Sequence, residues 1–204
     1  GILTAKSYRT PTKMRILAGS IHAHRQQVVR IDAGGPLKDR KTMAAIEQKL
    51  RDAVSRTDAI LVSDYGYGLV TSPTVVKTRP RGIPTTVDSR FSLKKFWGLT
   101  ATTPNEPEVE AALGITIGND ARMLEWAGRK LLRKLGHEAV LITRGKDGMA
   151  LFEREKKTIH LPIFGTDEIA DVTGAGDTVI ATFTLALAAG GSCFEAARLA
   201  NYAG

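Results

Sequence analysis

Asp171-Val172-Thr173-Gly174-Ala175-Gly176-Asp177-Thr178 decides how this chain is read, because it sets a glycine turn directly against a largely apolar run over residues 179–189. Two glycines around one alanine, followed by that run, predict a tight turn feeding a helix N-terminus. The first N–H groups of such a helix have no partner within it, and the helix dipole adds partial positive charge, so an anion fits there. Asp177 then stands in the first turn, beside the anion. A carboxylate repels a phosphate; its presence makes chemical sense if it takes the proton from a hydroxyl that attacks the phosphate. The plainer explanation, a turn with a first-turn acid that complements the dipole, carries at least equal weight for a lone Gly-x-Gly.

On either side of this turn, strand-like and helix-like segments alternate. Residues 13–32 hold β-rich pieces at 14–17 and 27–31 around a polar middle and predict a ribbon. A helix is expected over 37–56, with Met43, Ile46, Leu50 and Val54 on one stripe. Short strands over 59–63 and 84–87 end at Asp64 and Asp88, and 100–103 leads into Pro104 and Asn105. A helix over 120–135 precedes a buried strand at 139–143. Residues 149–152 and 158–161 read as antiparallel additions. The helix over 177–189 stops at Gly190-Gly191, and another starts near 195. Pro73 and Pro80 leave room for only a short helix over 71–83. This alternation predicts an α/β fold, a doubly wound, mostly parallel sheet with helices on both faces, plus a small β ribbon. Ligands gather at the carboxyl ends of strands in such sheets. Asp64, Asp88, Asn105, Thr143 and Arg144 should therefore converge with residues 171–177 on one cleft.

Composition narrows the function. Of 204 residues, 43% are hydrophobic and 25% charged, enough for a real core. No apolar run reaches the roughly 18 residues that cross a membrane, and residues 1–30 do not read as a signal peptide. Cys193 is the single cysteine, which excludes an internal disulfide. A cytoplasmic enzyme with no membrane partner is expected. The net charge of +8 comes from scattered clusters with no aromatic residues between them, so no nucleic acid partner is expected. A basic surface that attracts phosphorylated substrates is the better reading. His22 and His24 share a strand face without a Cys, His or carboxylate nearby, and predict no metal site.

Two further segments carry chemistry. Asn105-Glu106-Pro107-Glu108 is a helix-capping arrangement, with Asn105 as cap, Pro107 in the first turn and Glu108 reaching back. Leu141-Ile142-Thr143-Arg144-Gly145-Lys146-Asp147-Gly148 is a strand opening into a Gly-x-x-Gly turn, in which Gly145 and Gly148 supply positive φ.

Together with the octapeptide, these segments resemble the ribokinase-like (PfkB) family of sugar and nucleoside kinases. The resemblance implies that Gly174, Ala175 and Gly176 form the anion hole and that Asp177 is the catalytic base. It implies ATP as cosubstrate, with Thr143, Gly145, Gly148, Thr173 and Asn201 toward the nucleotide. Asn105 and Glu108 would organise Mg²⁺ and its water, a hard cation that suits oxygen ligands. Asp64, Asp88 and Arg90 would lie toward the sugar, Arg90 because its fork matches a phosphate. The runs 12–17 and 26–32, Ser63-Asp64-Tyr65-Gly66, Thr103-Pro104-Asn105-Glu106 and Val172 resemble the heptose-7-phosphate kinase branch, which phosphorylates O-1 on the way to ADP-heptose and lipopolysaccharide. Tyr67 departs from it, standing where relatives usually carry Lys. The resemblance implies one kinase domain over 1–204, incomplete at both ends, with a lid ribbon at 12–32 and an α/β core at 37–204. It leaves room for a monovalent cation, for a homodimer and for a following adenylyltransferase domain. Two alternatives stay open: another kinase of the family, acting on ribose, fructose phosphate or a nucleoside, and a catalytically silent nucleotide-binding fragment.

Overall fold

Six strands form the central sheet of a computed structural model that describes residues 2–5, 8–19, 26–80, 82–164 and 174–204. In chain order they are β3 (Ile60–Asp64), β4 (Thr85–Ser89), β5 (Ala101–Thr102), β6 (Ala139–Thr143), β7 (Met149–Glu153) and β8 (Ile159–Leu161), and they lie in that same order across the sheet. The first four are parallel, and β7 and β8 add antiparallel. β1 (Thr12–Ala18) and β2 (Gln26–Ala33) pair antiparallel as a separate two-stranded ribbon. His22 and His24 lie outside the described residues, as do Asp171, Val172 and Thr173.

Helices cover both faces. α1 (Arg40–Val54) and α2 (Ser72–Thr78) flank β3 in sequence; α3 (Glu106–Leu113) and α4 (Ala121–Leu135) lie between β5 and β6; α5 (Ala175–Ala188) and α6 (Cys193–Ala203) close the chain. β6 shows why the sheet is two-sided. Ala139 and Leu141 pack with Val179, Phe183 and Ala197 of α5 and α6, whereas Val140 and Ile142 pack with Leu124, Leu131 and Val109 of α4 and α3. A strand buried on both faces is apolar throughout rather than alternating, as Ala139-Val140-Leu141-Ile142 is.

The expected elements appear at close to their expected bounds. α1 spans 15 residues, but of its apolar stripe only Val54 is buried, so amphipathic spacing located the helix without measuring how deeply it packs. α2 is confined to seven residues between Pro73, in its first turn, and Arg79, which precedes Pro80. α5 starts two residues earlier than expected because Gly174 itself is the cap. Cys193 begins α6, half-buried against the core.

Gly128 is decided by packing. It sits inside α4, where glycine costs about 1 kcal/mol relative to alanine, yet a Cβ there would lie 2.3 Å from Phe152 of β7. The bare backbone lets helix and sheet close on that ring.

Candidate active site

Each parallel strand ends by delivering a polar residue to the same edge of the sheet. β3 ends at Asp64, β4 carries Asp88, and the backbone after β5 continues as a parallel bridge between Asn105 and Thr143, with the Thr143 N–H donating to Pro104 O at 2.9 Å. Along that edge runs a cleft of about 550 Å³ lined by Asp64, Asp88, Arg90, Asn105, Glu108, Thr143, Gly174, Gly176 and Asp177. Seven of these nine, drawn from sequence positions more than a hundred apart, come from the strand-end argument and the glycine turn; Arg90 and Glu108 are residues the family resemblance implied, and Arg144, also expected from its strand end, is not among the residues that line the cleft. Tyr65, Phe91, Thr103, Pro107 and Ala111 complete the wall, and none of them is expected there from the sequence. A signal existed for Tyr65, which directly follows a strand-ending aspartate.

The remaining expected residues stand elsewhere. Ala175, the first residue of α5, is not among those lining the cleft. Gly145 opens a one-turn helix over 145–147 with φ 53° and nothing near its missing Cβ. Gly148 has φ 76°, and a Cβ there would meet Leu161 O at 2.1 Å, so close packing against β8 accounts for that glycine. Asn201 donates from Nδ2 to Pro162 O at 2.8 Å, tying α6 to the segment after β8. Thr173 lies outside the described residues.

α5 begins differently from the other helices. Asp39, Thr71, Asn105, Asp120 and Ser192 each cap their helix with a side-chain oxygen. α5 starts at Gly174 with φ 89°, a left-handed conformation that favours glycine, and among the described residues no side chain caps it. Among the described residues no side chain claims its first N–H groups, which are of the kind that meet an anion, and Asp177 stands in that same turn.

The cleft is acidic. Four carboxylates, Asp64, Asp88, Glu108 and Asp177, line it with Arg90 as the single basic side chain among the described lining residues. Burial foremost, then Glu108, Asp177 and Asp64, push the Asp88 carboxyl up to about 6 against the pull of Arg90. Burial also raises Glu108. Asp64 is buried and committed: it accepts from the Gly66 N–H at 2.9 Å and from Ser89 Oγ at 2.8 Å, which fixes the turn after β3. Asn105 and Glu108 form a complete capping box, with Glu108 N–H donating to Asn105 Oδ1 at 2.9 Å and Asn105 N–H to Glu108 Oε2 at 3.0 Å. Among the described residues no group of three or more His, Cys, Asp or Glu is arranged to hold a metal ion. Asn105 and Glu108 offer an amide and a carboxylate at the cleft, oxygen donors of the kind a hard cation accepts beside water and phosphate oxygens.

The two-faced α/β sheet with its carboxyl-edge cleft has a ribokinase-like fold, as its likeness to solved structures shows. Phosphofructokinase-2 from Escherichia coli in complex with fructose-6-phosphate has a TM-score of 0.67 at 19% identity over 84% of this chain and 58% of that one. Ribokinase from Arabidopsis thaliana, complexed with ribose and ATP, has a TM-score of 0.65 at 22% identity over 96% of this chain and 62% of that one. Residues 92–204, more than half of the chain, match the pfkB family carbohydrate kinases, and the chain belongs to that family. It is 39% identical over 198 residues to the bifunctional protein HldE of Coxiella burnetii (strain RSA 331 / Henzerling II), covering 95% of this chain and 40% of that protein. It is 41% identical over 214 residues to the bifunctional protein HldE of Geobacter sulfurreducens, covering 100% of this chain and 41% of that protein. The chain thus spans about 40% of the length of these curated relatives. Among the described residues no helix is long and apolar enough to cross a membrane.

Proposed function

We propose that the chain carries the catalytic centre of an ATP-dependent sugar kinase whose acceptor is O-1 of heptose 7-phosphate, in ADP-heptose synthesis for lipopolysaccharide. The observation that carries this reading is the glycine-started N-terminus of α5, which no side chain caps among the described residues, with Asp177 in its first turn, opening on a cleft at the carboxyl edge of the sheet. Similarity near 40% to HldE proteins along nearly the whole chain supports the heptose acceptor over the other sugars of the family.

In this reading Asp177 accepts the proton of the sugar hydroxyl as that oxygen attacks the γ-phosphate of ATP; the bond to the bridging oxygen breaks and ADP leaves. The backbone N–H groups over 174–176 and the dipole of α5 stabilise the charge on the transferring phosphoryl oxygens. Thr143 and Gly145 approach the nucleotide, and Arg90 faces the phosphate end of the sugar. Four carboxylates against one Arg would repel two anionic substrates, so the site needs added positive charge. Mg²⁺, held through water by Asn105 and Glu108, would supply it by neutralising phosphate charge. Asp64 fixes the turn that borders the acceptor, and Asp88 faces the acceptor from β4. A monovalent cation belongs to the same reading.

The reading extends to a cytoplasmic homodimer. Cross-strand neighbours Met14 with Ile31 and Ile16 with Val29 form an exposed apolar face on the ribbon, which a second copy would cover.

The test is ADP release with ATP, Mg²⁺ and heptose 7-phosphate beside a no-sugar control, with ribose, fructose 6-phosphate and nucleosides as competing acceptors. Release that depends on heptose 7-phosphate, reduced by roughly 10²–10⁴ in Asp177→Asn with ATP affinity retained, supports the assignment. Release with another acceptor replaces the sugar. ATP binding without any acceptor-dependent release marks the silent nucleotide-binding alternative.

A further inference from the structure

Tyr65 occupies the first position beyond β3, in the turn that Asp64 fixes through Gly66 and Ser89. Gly66 adopts φ 77°, which turns the chain sharply after it. The Tyr65 side chain lies on the cleft wall, 43% exposed, and touches two elements far apart in sequence. Its hydroxyl donates to Asp177 Oδ1, 3.4 Å away, in the first turn of α5. Over its ring stands Lys13 Nζ of β1, 4.4 Å from the centroid. Lys13 pairs across the ribbon with Asp32 and shares its face with Arg15 and Arg30, so it is the charged face of the ribbon that turns to the cleft.

We propose that Tyr65 is a positioning residue that ties the ribbon to Asp177. The phenol holds one carboxylate oxygen of Asp177, which stops the group from rotating and leaves the other oxygen directed at the acceptor hydroxyl. The ammonium of Lys13 over the ring draws electron density from the phenol and makes its O–H a better donor. Ribbon position and base orientation are thereby linked through one side chain. This rests on the reading of Asp177 as the base, since the value of holding the carboxylate lies in the proton it accepts.

The surroundings keep the phenol in its donor form. Around it stand Asp177 from α5, Asp88 from β4, the Ser63 hydroxyl from β3 and Lys13 from β1. Burial first, then the charges of Asp177 and Asp88, raise the Tyr65 phenol above its ordinary value of 10. At neutral pH the hydroxyl is protonated and can only help the carboxylate by donating to it.

Two measurements on the full chain test this. Nuclear magnetic resonance of ring-labelled tyrosines, with the Tyr65 signal assigned through Tyr65→Phe, follows the phenol directly. Its titration should move to lower pH in Asp177→Asn and to higher pH in Lys13→Met. In turnover assays, Tyr65→Phe should lower kcat about tenfold with the KM for ATP unchanged, because orientation alone is lost. Tyr65→Leu, which also removes the ring under Lys13, should lower it further. A Tyr65 titration indifferent to Asp177→Asn, or full kcat in Tyr65→Phe, overturns the proposal. If the wild type turns over no sugar while the titration still follows both substitutions, the kinase assignment fails and the Lys13–Tyr65–Asp177 link stands.

Discussion

Arg144 Nε donates to Glu106 Oε1 at 2.6 Å, and both side chains are largely sheltered from solvent. The pair joins the turn after β6 to the first residue of α3, the two segments that the Asn105–Thr143 bridge also brings together. From sequence, Arg144 is expected in the cleft because it directly follows a strand end; in the fold its guanidinium is engaged by Glu106 and it does not line the cleft. Half-sheltered ion pairs with good geometry contribute more than surface pairs, which average under about 1 kcal/mol. Glu106→Gln should keep the helix start but weaken the strut, loosening Asn105 and Glu108. The expected outcome is a several-fold rise in the Mg²⁺ concentration needed for half-maximal ATP binding, read by calorimetry. Arg144→Lys should fail to restore the wild-type value, because a single ammonium does not match the guanidinium fork.

Gly128→Ala adds one methyl group where the Phe152 ring already sits. Alanine is the better helix former by about 1 kcal/mol, but a contact of 2.3 Å to a buried ring must push α4 off the sheet. Overpacking of this kind costs about 1–3 kcal/mol. A lower urea midpoint with an unchanged slope is expected, and a midpoint above the wild type would mean that Phe152 moves aside at no cost.

His137 is fully buried, its Nδ1 accepting from the Leu99 N–H at 3.0 Å and its Nε2 without a partner among the described residues. Burial, then Arg79 and Arg154, lower its pKa to about 4. The unfolded chain takes up this proton near pH 6.5 and the folded chain only near 4. Stability from this group is therefore complete above about pH 6.5 and is lost as pH falls toward 4, by about 3 kcal/mol. His137→Asn, which keeps an acceptor for Leu99, should flatten the pH dependence of the denaturation midpoint across that window. An unaltered slope would place the acid sensitivity elsewhere.

Asp88 acts in the opposite direction over an overlapping range. Its carboxyl is raised to about 6, so the folded state holds a proton that the unfolded state releases near 3.8. This contribution favours the folded state at low pH and fades as pH rises through 6. Asp88→Asn should remove it, increasing stability at pH 7.5 relative to the wild type while leaving pH 4 nearly unchanged. Arg90→Leu should push the Asp88 titration higher still, since Arg90 is what holds it down. Carbon-detected titration of labelled aspartates checks both.

Much of the architecture was legible because local chemistry and tertiary demand coincide. Pro107 and Glu108 around Asn105 announce a capped helix in sequence, and the complete capping box at the start of α3 is the same chemistry realised in space. The apolar run Ala139-Val140-Leu141-Ile142 announces a strand buried on both faces, because nothing else accommodates so short an apolar block next to helices. Strand-end polar residues predict a shared cleft because parallel strands all point the same way, whatever their order.

The sequence by itself determined the alternation of elements, the position of the glycine turn before α5 and the set of strand-end residues, since each depends on spacing or on a backbone that only glycine or proline adopts readily. Tertiary structure alone decided what those residues do to one another. Arg144 is claimed by Glu106 across 38 positions, Tyr65 reaches Asp177 across 112, and Gly148 and Asn201 serve the packing of β8 and α6 rather than the cleft wall. Such pairings follow from which strands lie side by side and how far apart they sit, distances that no local pattern of residue types encodes.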